Sequence, residues 1–541
     1  MSNSTSLSHP PKPLTILHTS DWHLGRRLYG QLRYHEFEAF LAWLTQTLQQ
    51  YEVDVLIVAG DVFDTMTPSN KAQALYYEFL GVVSKSHCDH VVVVAGNHDS
   101  PTFLDAPANV LKALNVHVIG TACEDVADEV LVLTDSQDQA QCIIAAVPYL
   151  RDRDVRSAQA GESGADKDAN LLAGIHEHYA KVAQVAKAKQ AKLIAQQQRH
   201  IPLIATGHLF AAGGATTADD GVRELYVGSL GKISADMFDE CFDYVALGHL
   251  HVPQKVGGRE HIRYSGSPIA MGFGEANQTK QVLLVQFGQN LASDSLKERI
   301  QERIQERVQE RIEEASTASQ IPTASQISAK PSHTLTTPAA GAAANLSQAD
   351  LFCGDLFDDW LEPTSNQPSQ LQTHADSTAD SISQLDKQHK PDEALATKTL
   401  HITADNTMQI IAVTVPCFQQ LLPISGDINH ILQSLQQLPH TKPIWIEVAY
   451  TGDEIVSDLR EQIHAAVAGT PFEVLKIKNH QVRNKVLKAQ STHETLQDLD
   501  EMQVFERCLV ANKVAESQRP SLREAYAQIV YQIHHDDSMA E

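Results

Sequence analysis

Eight short apolar runs, rich in Val and Ile and separated by stretches of helical periodicity, constrain any fold of residues 14–287. They are 14–19 (LTILHT), 53–61 (VDVLIVAGD), 90–97 (HVVVVAGN), 116–120 (VHVIG), 142–149 (CIIAAVPY), 202–208 (PLIATGH), 243–249 (DYVALGH) and 282–287 (VLLVQF). Runs this short and this continuously apolar predict strands covered on both faces. Between the first two, Phe37, Phe40, Leu41, Leu44 and Leu48 recur at three- and four-residue steps, which is one face of a helix. Strand–helix alternation of this kind predicts a layered α/β fold, with sheets flanked by helices.

The pattern stops near residue 290. Residues 297–314 (KERIQERIQERVQERIEE) repeat every four residues, so Ile300, Ile304, Val308 and Ile312 drift around a helix of period 3.6. A long coiled coil needs a spacing of 3.5. A Ser/Thr/Gln/Ala/Pro-rich stretch follows, and 291–399 together is expected to be a repeat helix plus a disordered insertion. Its one apolar island, 351–361 (LFCGDLFDDWL), has the look of a short docking motif. Order is expected again over 400–490. There, strands at 443–450 (PIWIEVAY) and 472–479 (FEVLKIKN) flank a helix from Asp453 to about Ala468, a small α/β domain. Residues 491–541 are expected to be helical. Ser521 and Glu524 form a capping box after Pro520, and Leu522, Tyr526, Ile529 and Ile533 share a face that packs within this chain or onto a partner.

The net charge of −25 counts against a broad DNA-binding surface, which is usually basic. It does not count against an enzyme whose bound cations supply local positive charge. Seven cysteines without a C-x-x-C pair argue against a disulfide framework or a thiolate zinc site and suit a reducing cytoplasm. The first residues lack a basic region followed by an apolar run, and no apolar stretch reaches the length of a membrane span.

Five motifs carry the chemistry, each where a strand is expected to meet a loop. They are Asp21-Trp22-His23, Gly60-Asp61-Val62-Phe63-Asp64, Gly96-Asn97-His98-Asp99, Gly207-His208 and Gly248-His249-Leu250-His251. Groups at the carboxyl ends of sheet strands collect in one crevice. Residues two apart in extended chain share a side, so Asp21 with His23, and His249 with His251, are each expected to aim a pair of ligands. The glycines allow sharp turns and close approach. Oxygen and imidazole donors without thiolate suit Mn, Fe or Zn. Seven such donors exceed the needs of one ion and suit two, about 3.5–4 Å apart, which polarise a phosphoryl group and activate water for in-line attack.

The order DxH, GDxxD, GNHD, GH and GHxH resembles the calcineurin-like metallophosphoesterases. The longer strings at 16–30, 58–70, 93–104, 244–254 and 263–273 resemble the bacterial branch that supplies DNA nuclease subunits. The resemblance implies one metal held by Asp21, His23, Asp61 and His251. It implies a second held by Asp61, Asn97, His208 and His249, with Asp61 bridging and Mn2+ as the ion. It implies that His98 contacts the phosphate or protonates the leaving oxygen, with Asp99 orienting it. Asp64 stands where some relatives carry a second histidine. The resemblance also implies a capping role for 400–490, a DNA substrate, a homodimer within a heterotetramer, and an ATPase partner with a long coiled coil. The sequence itself has no Walker A loop: at the tempting Gly231-Lys232, Tyr226 replaces the first glycine and Ile233 the Ser or Thr. Lys476, Lys478, Arg483, Lys485 and Lys488 form either a phosphate-contacting cluster or a solvated charge run. The activity expected is cleavage of DNA ends and hairpins in replication, recombination and repair, in the cytoplasm at the nucleoid. A small-phosphoester hydrolase and a non-catalytic DNA-end scaffold are the alternatives.

Overall fold

The structure is a computed structural model. It describes residues 13–156, 162–211, 233–288 and 397–479 (without 404, 405, 453, 455 and 457), and scattered residues between 502 and 526. The repeat at 297–314, the island at 351–361 and the capping box at Ser521 lie outside the described residues, as does most of 491–541, where helices are expected.

In chain order the first strands are β1 (Leu14–Thr19), β2 (Arg27–Leu28), β3 (Gln31–Leu32), β4 (Val55–Ala59), β5 (His90–Val94) and β6 (Val116–Ile119). Next come β7 (Val130–Thr134), β8 (Ala140–Ala145), β9 (Leu203–His208), β10 (Tyr244–Gly248), β11 (Gln254–Val256), β12 (Arg259–Tyr264) and β13 (Gln281–Gly288). The last are β14 (Thr397–Thr403), β15 (Asn406–Thr414), β16 (Gln420–Gly426), β17 (Ile444–Tyr450) and β18 (Phe472–Asn479). The helices used below are α1 (Tyr34–Gln50), α2 (Asn70–Val83), α3 (Pro101–Asp105), α4 (Ala108–Lys112), α5 (Asp152–Val155), α6 (Gly164–Gln197), α7 (Ile428–Gln437) and α8 (Leu459–Val467).

Two sheets face each other. One has the order β14-β15-β13-β1-β4-β5-β6, the other β11-β12-β10-β9-β8-β7. β1, β4, β5 and β6 are parallel neighbours, as are β8, β9, β10 and β12. The period of two decides which side chain goes where. Leu14, Ile16, Val55, Ile57, Val92 and Val94 of the first sheet meet Cys142, Ile144, Ile204, Tyr244 and Ala246 of the second. The alternate residues of the second sheet, Ile143, Ala145, Leu203, Ala205, Val245 and Leu247, pack instead with Leu171, Ile175, Tyr179, Val182 and Ala186 of α6. All eight predicted apolar runs coincide with or overlap a strand, 142–149 only over its first four residues, in β8. α6, the longest helix among the described residues, is not among the elements expected from the sequence. Its start is set by Ser163 and Asp166, which form a capping box.

The expected start of the small domain at 400 requires correction. β14 and β15 are not part of a separate domain: β15 pairs with β13 from Gln281↔Thr414 to Gly288↔Thr407, and Met408 and Ile410 lie in the core between the sheets. The reason is the edge of β13, which would otherwise present unpaired N–H and C=O groups. The helix expected from Asp453 begins at Leu459. The small domain is the parallel sheet β16-β17-β18. Leu422, Ile424, Ile446 and Val448 face Ile431 and Leu435 of α7 and Ile463 of α8. The opposite face carries Leu421, Trp445 and Leu475, which pack with Leu28 and Phe273. Among the described residues, no helix is long and apolar enough to cross a membrane.

Because Ile410 fills the core between the sheets, Ile410→Ala should destabilise the whole sandwich by about 2–5 kcal/mol. Urea unfolding followed at the buried Trp22 checks this; an unchanged midpoint would mean that β15 is not integral to the core.

Candidate metal centre

Each predicted site residue follows or ends a strand. Asp21 and His23 follow β1, Asp61 follows β4, Asn97 and His98 follow β5, His208 ends β9, and His249 and His251 follow β10. All are buried except Asn97, which is half-buried. The facing sheets thus bring carboxyl ends of parallel strands from both sides to one crevice.

The two D-x-H and H-x-H pairs reach it by a different route from the extended chain expected. Asp21 (φ 54°), His23 (φ 48°), Asp61 (φ 51°) and His249 (φ 103°) all have positive φ. Left-handed backbone at a non-glycine residue costs about 1–2 kcal/mol. Neighbouring loops hold it in place. Asp21 N donates to Gly60 O at 3.0 Å, His23 N to Asp61 O at 3.0 Å, and Leu24 N to Val62 O at 2.9 Å. Between Asp21 and His23, the Trp22 ring turns away and meets Phe40 of α1 and Phe79 of α2 edge-on, at 5.8 and 5.5 Å. Glycine is required where loops touch: a Cβ on Gly248 would overlap the Ala59 carbonyl and press on His208.

Asp61 is the centre of the cluster. Its Oδ1 accepts from His98 N at 2.9 Å. Its Oδ2 lies 3.3 Å from His208 Nε2 and 3.6 Å from His23 Nε2. Burial would raise its carboxyl, but His208, His23 and His98 outweigh that and hold it well below the ordinary value. Asp21 accepts from His249 N at 2.9 Å and from Ser20 Oγ at 2.6 Å. His23 Nε2 and His251 Nε2 are 3.2 Å apart. Asn97 Oδ1 lies 3.0 Å from His208 Nε2 and 3.3 Å from His249 Nδ1. Three sets of donor atoms converge within 4.8 Å: Asp21–His23–His251, Asp21–Asp61–His208 and His23–Asp61–His98.

The outer ring nitrogens show which way the imidazoles are primed. His208 Nδ1 lies 3.0 Å from the Ala59 carbonyl, and His251 Nδ1 lies 3.0 Å from Glu275 Oε1. A carbonyl or carboxylate oxygen only accepts, so each Nδ1 carries hydrogen and each Nε2 faces the cluster, as in metal-bound histidines. His208 Nε2 then faces two oxygens, of Asn97 and Asp61. Burial works to lower its pKa, but Asp61 overrides this and pushes it up to about 9. A proton there stands where a cation would serve both oxygens. His249 is held well below its usual value by burial and by His208 beside it, and its buried Nε2 has no hydrogen-bond partner. These features fit a divalent metal site.

His98 is equally close, so proximity alone does not separate it from the other candidate ligands. Its Nδ1 donates to the Asp64 carbonyl at 2.7 Å. The role expected for Asp99 requires correction here. Its carboxylate accepts from Val62 N (3.1 Å), Phe63 N (2.9 Å) and Gly96 N (2.8 Å), so it ties the Asp61 and Asn97 loops together, and the group seen holding the His98 ring is the Asp64 carbonyl. Asp64 also places its carboxylate 3.4 Å from His23 Nδ1 and 3.1 Å from Arg26. Burial would raise that carboxyl; His23 and Arg26 bring it down to about 2. Sequence reasoning missed this role of Asp64, as well as Glu275, which stands two residues beyond the last string that carried the resemblance. Of the basic cluster, Lys476 lies over the Tyr29 ring at 4.7 Å and Lys478 pairs with Glu447 at 3.2 Å. Arg483, Lys485 and Lys488 lie outside the described residues.

Comparison with known proteins accords with this geometry. Residues 14–253 match the calcineurin-like phosphoesterase family, and residues 417–513 match the type 5 capsule protein repressor C-terminal domain. The SbcD subunit of nuclease SbcCD from Escherichia coli (strain K12) is 30% identical over 516 residues, 95% of this chain and 97% of that protein. The chain belongs to the SbcD family. The SbcD relative of Rhodobacter capsulatus is 37% identical over 289 residues, 52% of this chain and 68% of its own. That of Bacillus subtilis is 33% identical over 275 residues, 50% and 66% respectively. The metal centre of this SbcD-family chain lies wholly within the 14–253 match, whereas Glu275 lies beyond it.

The His208 proton and a metal ion compete for one place, so metal binding at pH 7 should release about one proton. Below a pH of about 9 the proton is present in the metal-free form, so apparent affinity should fall as pH falls. Titration calorimetry in buffers of different ionisation enthalpy reads the release directly; heats independent of buffer would contradict it.

Proposed function

We propose that this chain is the metal-dependent nuclease subunit of a complex of the SbcCD kind, hydrolysing phosphodiester bonds of DNA. The observation that carries the reading is the Asp61 carboxylate, buried between His23 and His208 with Asp21, Asn97, His249 and His251 around it. Asp21, His23, Asp61 and His251 would hold one ion. Asp61, Asn97, His208 and His249 would hold the other, with Asp61 shared. Mn2+ suits this mixed oxygen and imidazole set. Two such ions polarise a phosphoryl group and lower the pKa of water.

The chain's own side chains supply the rest. His208 and His251 present Nε2 because Nδ1 of each is already engaged. The Asp64 carbonyl fixes the His98 ring through Nδ1, so that its Nε2 is the nitrogen that gives a proton to the leaving oxygen. The small sheet beside the crevice acts as a cap that helps seat the nucleic acid. ATP is bound and hydrolysed by an SbcC-type coiled-coil ATPase docked on residues 491–541, and the subunit works as a homodimer within a heterotetramer. Double-strand exonuclease and hairpin or single-strand endonuclease activity in replication, recombination and repair follows, in the cytoplasm at the nucleoid.

His98→Ala should keep its metal but lose cleavage by about 100- to 10,000-fold, as for a general acid. Asp61→Ala should lose both together. Elemental analysis beside an assay with Mn2+ on hairpin DNA and on a nucleotide monoester separates the possibilities. Turnover of the monoester alone would make the chain a small-phosphoester hydrolase, and turnover of neither would leave a scaffold.

A further inference from the structure

One charged cluster lies outside the ligand set yet touches it. Glu275 is completely buried, in the single-turn helix Phe273–Glu275. Its Oε1 accepts from His251 Nδ1 at 3.0 Å. Its Oε2 accepts from Met271 N at 3.0 Å and Ser267 Oγ at 3.3 Å, and forms an ion pair with Lys280 Nζ. Lys280, itself buried, donates further to Ser267 Oγ and Gln278 Oε1 at 3.0 Å each, and to the His251 carbonyl at 3.3 Å. The pair therefore grips His251 twice, by ring and by backbone. Taking two charges out of water is unfavourable unless geometry and extra hydrogen bonds compensate. Here Met271, Ser267 and Gln278 supply those bonds, and the carboxylate oxygen left over is the one that meets the His251 ring.

The segment bearing Glu275 is itself braced from outside. Phe273 stacks on Tyr29 of the β2–β3 hairpin, with ring centroids 5.9 Å apart and planes 25° apart. Leu421 of β16 packs with Phe273 and Leu28, with Trp445, Leu475 and Ala276 around them. Tyr29 Oη donates to Glu447 on β17 at 3.2 Å, and Lys476 on β18 covers the Tyr29 ring. All three strands of the small sheet thus contribute to the support under Phe273, two residues from Glu275.

We propose that Glu275, held by Lys280, is the positioning residue for His251, and that the small sheet docked on Phe273 keeps Glu275 in place. The ring of His251 is then oriented by a chain of contacts running from β16 and β17 to the metal centre. The cap is a structural part of the ligand shell as well as a surface beside it. The proposal rests on the reading of His251 as a metal ligand.

The test is Mn2+ titration of the full chain by calorimetry, at a temperature well below unfolding. Glu275→Gln should weaken binding by about 10- to 100-fold. Because it leaves Lys280 without its counter-charge, the doubly neutral Glu275→Gln/Lys280→Met is measured beside it and should weaken binding similarly. Phe273→Ala should act in the same direction. Ile175→Ala, on the buried face of α6, should lower the melting temperature and leave Mn2+ affinity unchanged. A folded double variant that binds Mn2+ like the wild type, or equal weakening by Ile175→Ala, would overturn the positioning role. Wild-type binding by Phe273→Ala would overturn the link to the small sheet. A wild-type chain with no affinity for Mn2+ would defeat the metal reading beneath, a result distinct from either.

Discussion

A carboxylate sealed from water among imidazoles is the constraint around which this molecule is arranged. Asp61 is almost wholly buried and within 3.6 Å of two imidazole nitrogens from different sheets. Such a group is stable only if positive charge is supplied to it, by protons or by metal ions. Several features of the surroundings follow from that requirement. Loops are zipped together by backbone bonds, left-handed turns are tolerated at Asp21, His23, Asp61 and His249, and Asp99 is committed to three backbone amides.

The facing sheets make this convergence possible. Each contributes parallel strands whose carboxyl ends open on the same edge, so residues 21 and 249, or 61 and 208, become neighbours. The core between the sheets is continuous and mostly aliphatic, and α6 seals the far side of the second sheet. A rigid frame of this kind can hold unfavourable backbone conformations at its rim, because relaxing them would disturb packing beneath. The β14–β15 pair extends the frame after a long excursion of the chain, and the small sheet then closes over the hairpin and the Phe273 turn.

The outer partners of the histidines divide their roles. His208 leans on a backbone carbonyl, His251 on a buried ionic pair, and His98 on the carbonyl of Asp64. The first is set by the sheet itself. The second depends on a segment far along the chain and braced by another domain. The match to the Escherichia coli SbcD protein runs over nearly its whole length, so the small sheet lies within the matched region.

The strands, the five motifs and the nature of the donors are legible in the residues alone. Val- and Ile-rich runs of four to eight residues can bury both faces only in a layered sheet, and acids, amides and imidazoles at strand ends have little else to do there. That β14 and β15 return to the core sheet is decided by the fold, because strand pairing across more than a hundred residues leaves no local period. The left-handed turns are decided there too, since Asp and His carry no signature of positive φ comparable to that of glycine. Adjacency pairs Asp99 with His98 on paper, yet in a tight turn neighbouring side chains point apart, and three backbone amides reach its carboxylate first. Glu275 is the same case in reverse: an acid in an ordinary string, given its place beside His251 only when the chain folds back and removes both from water.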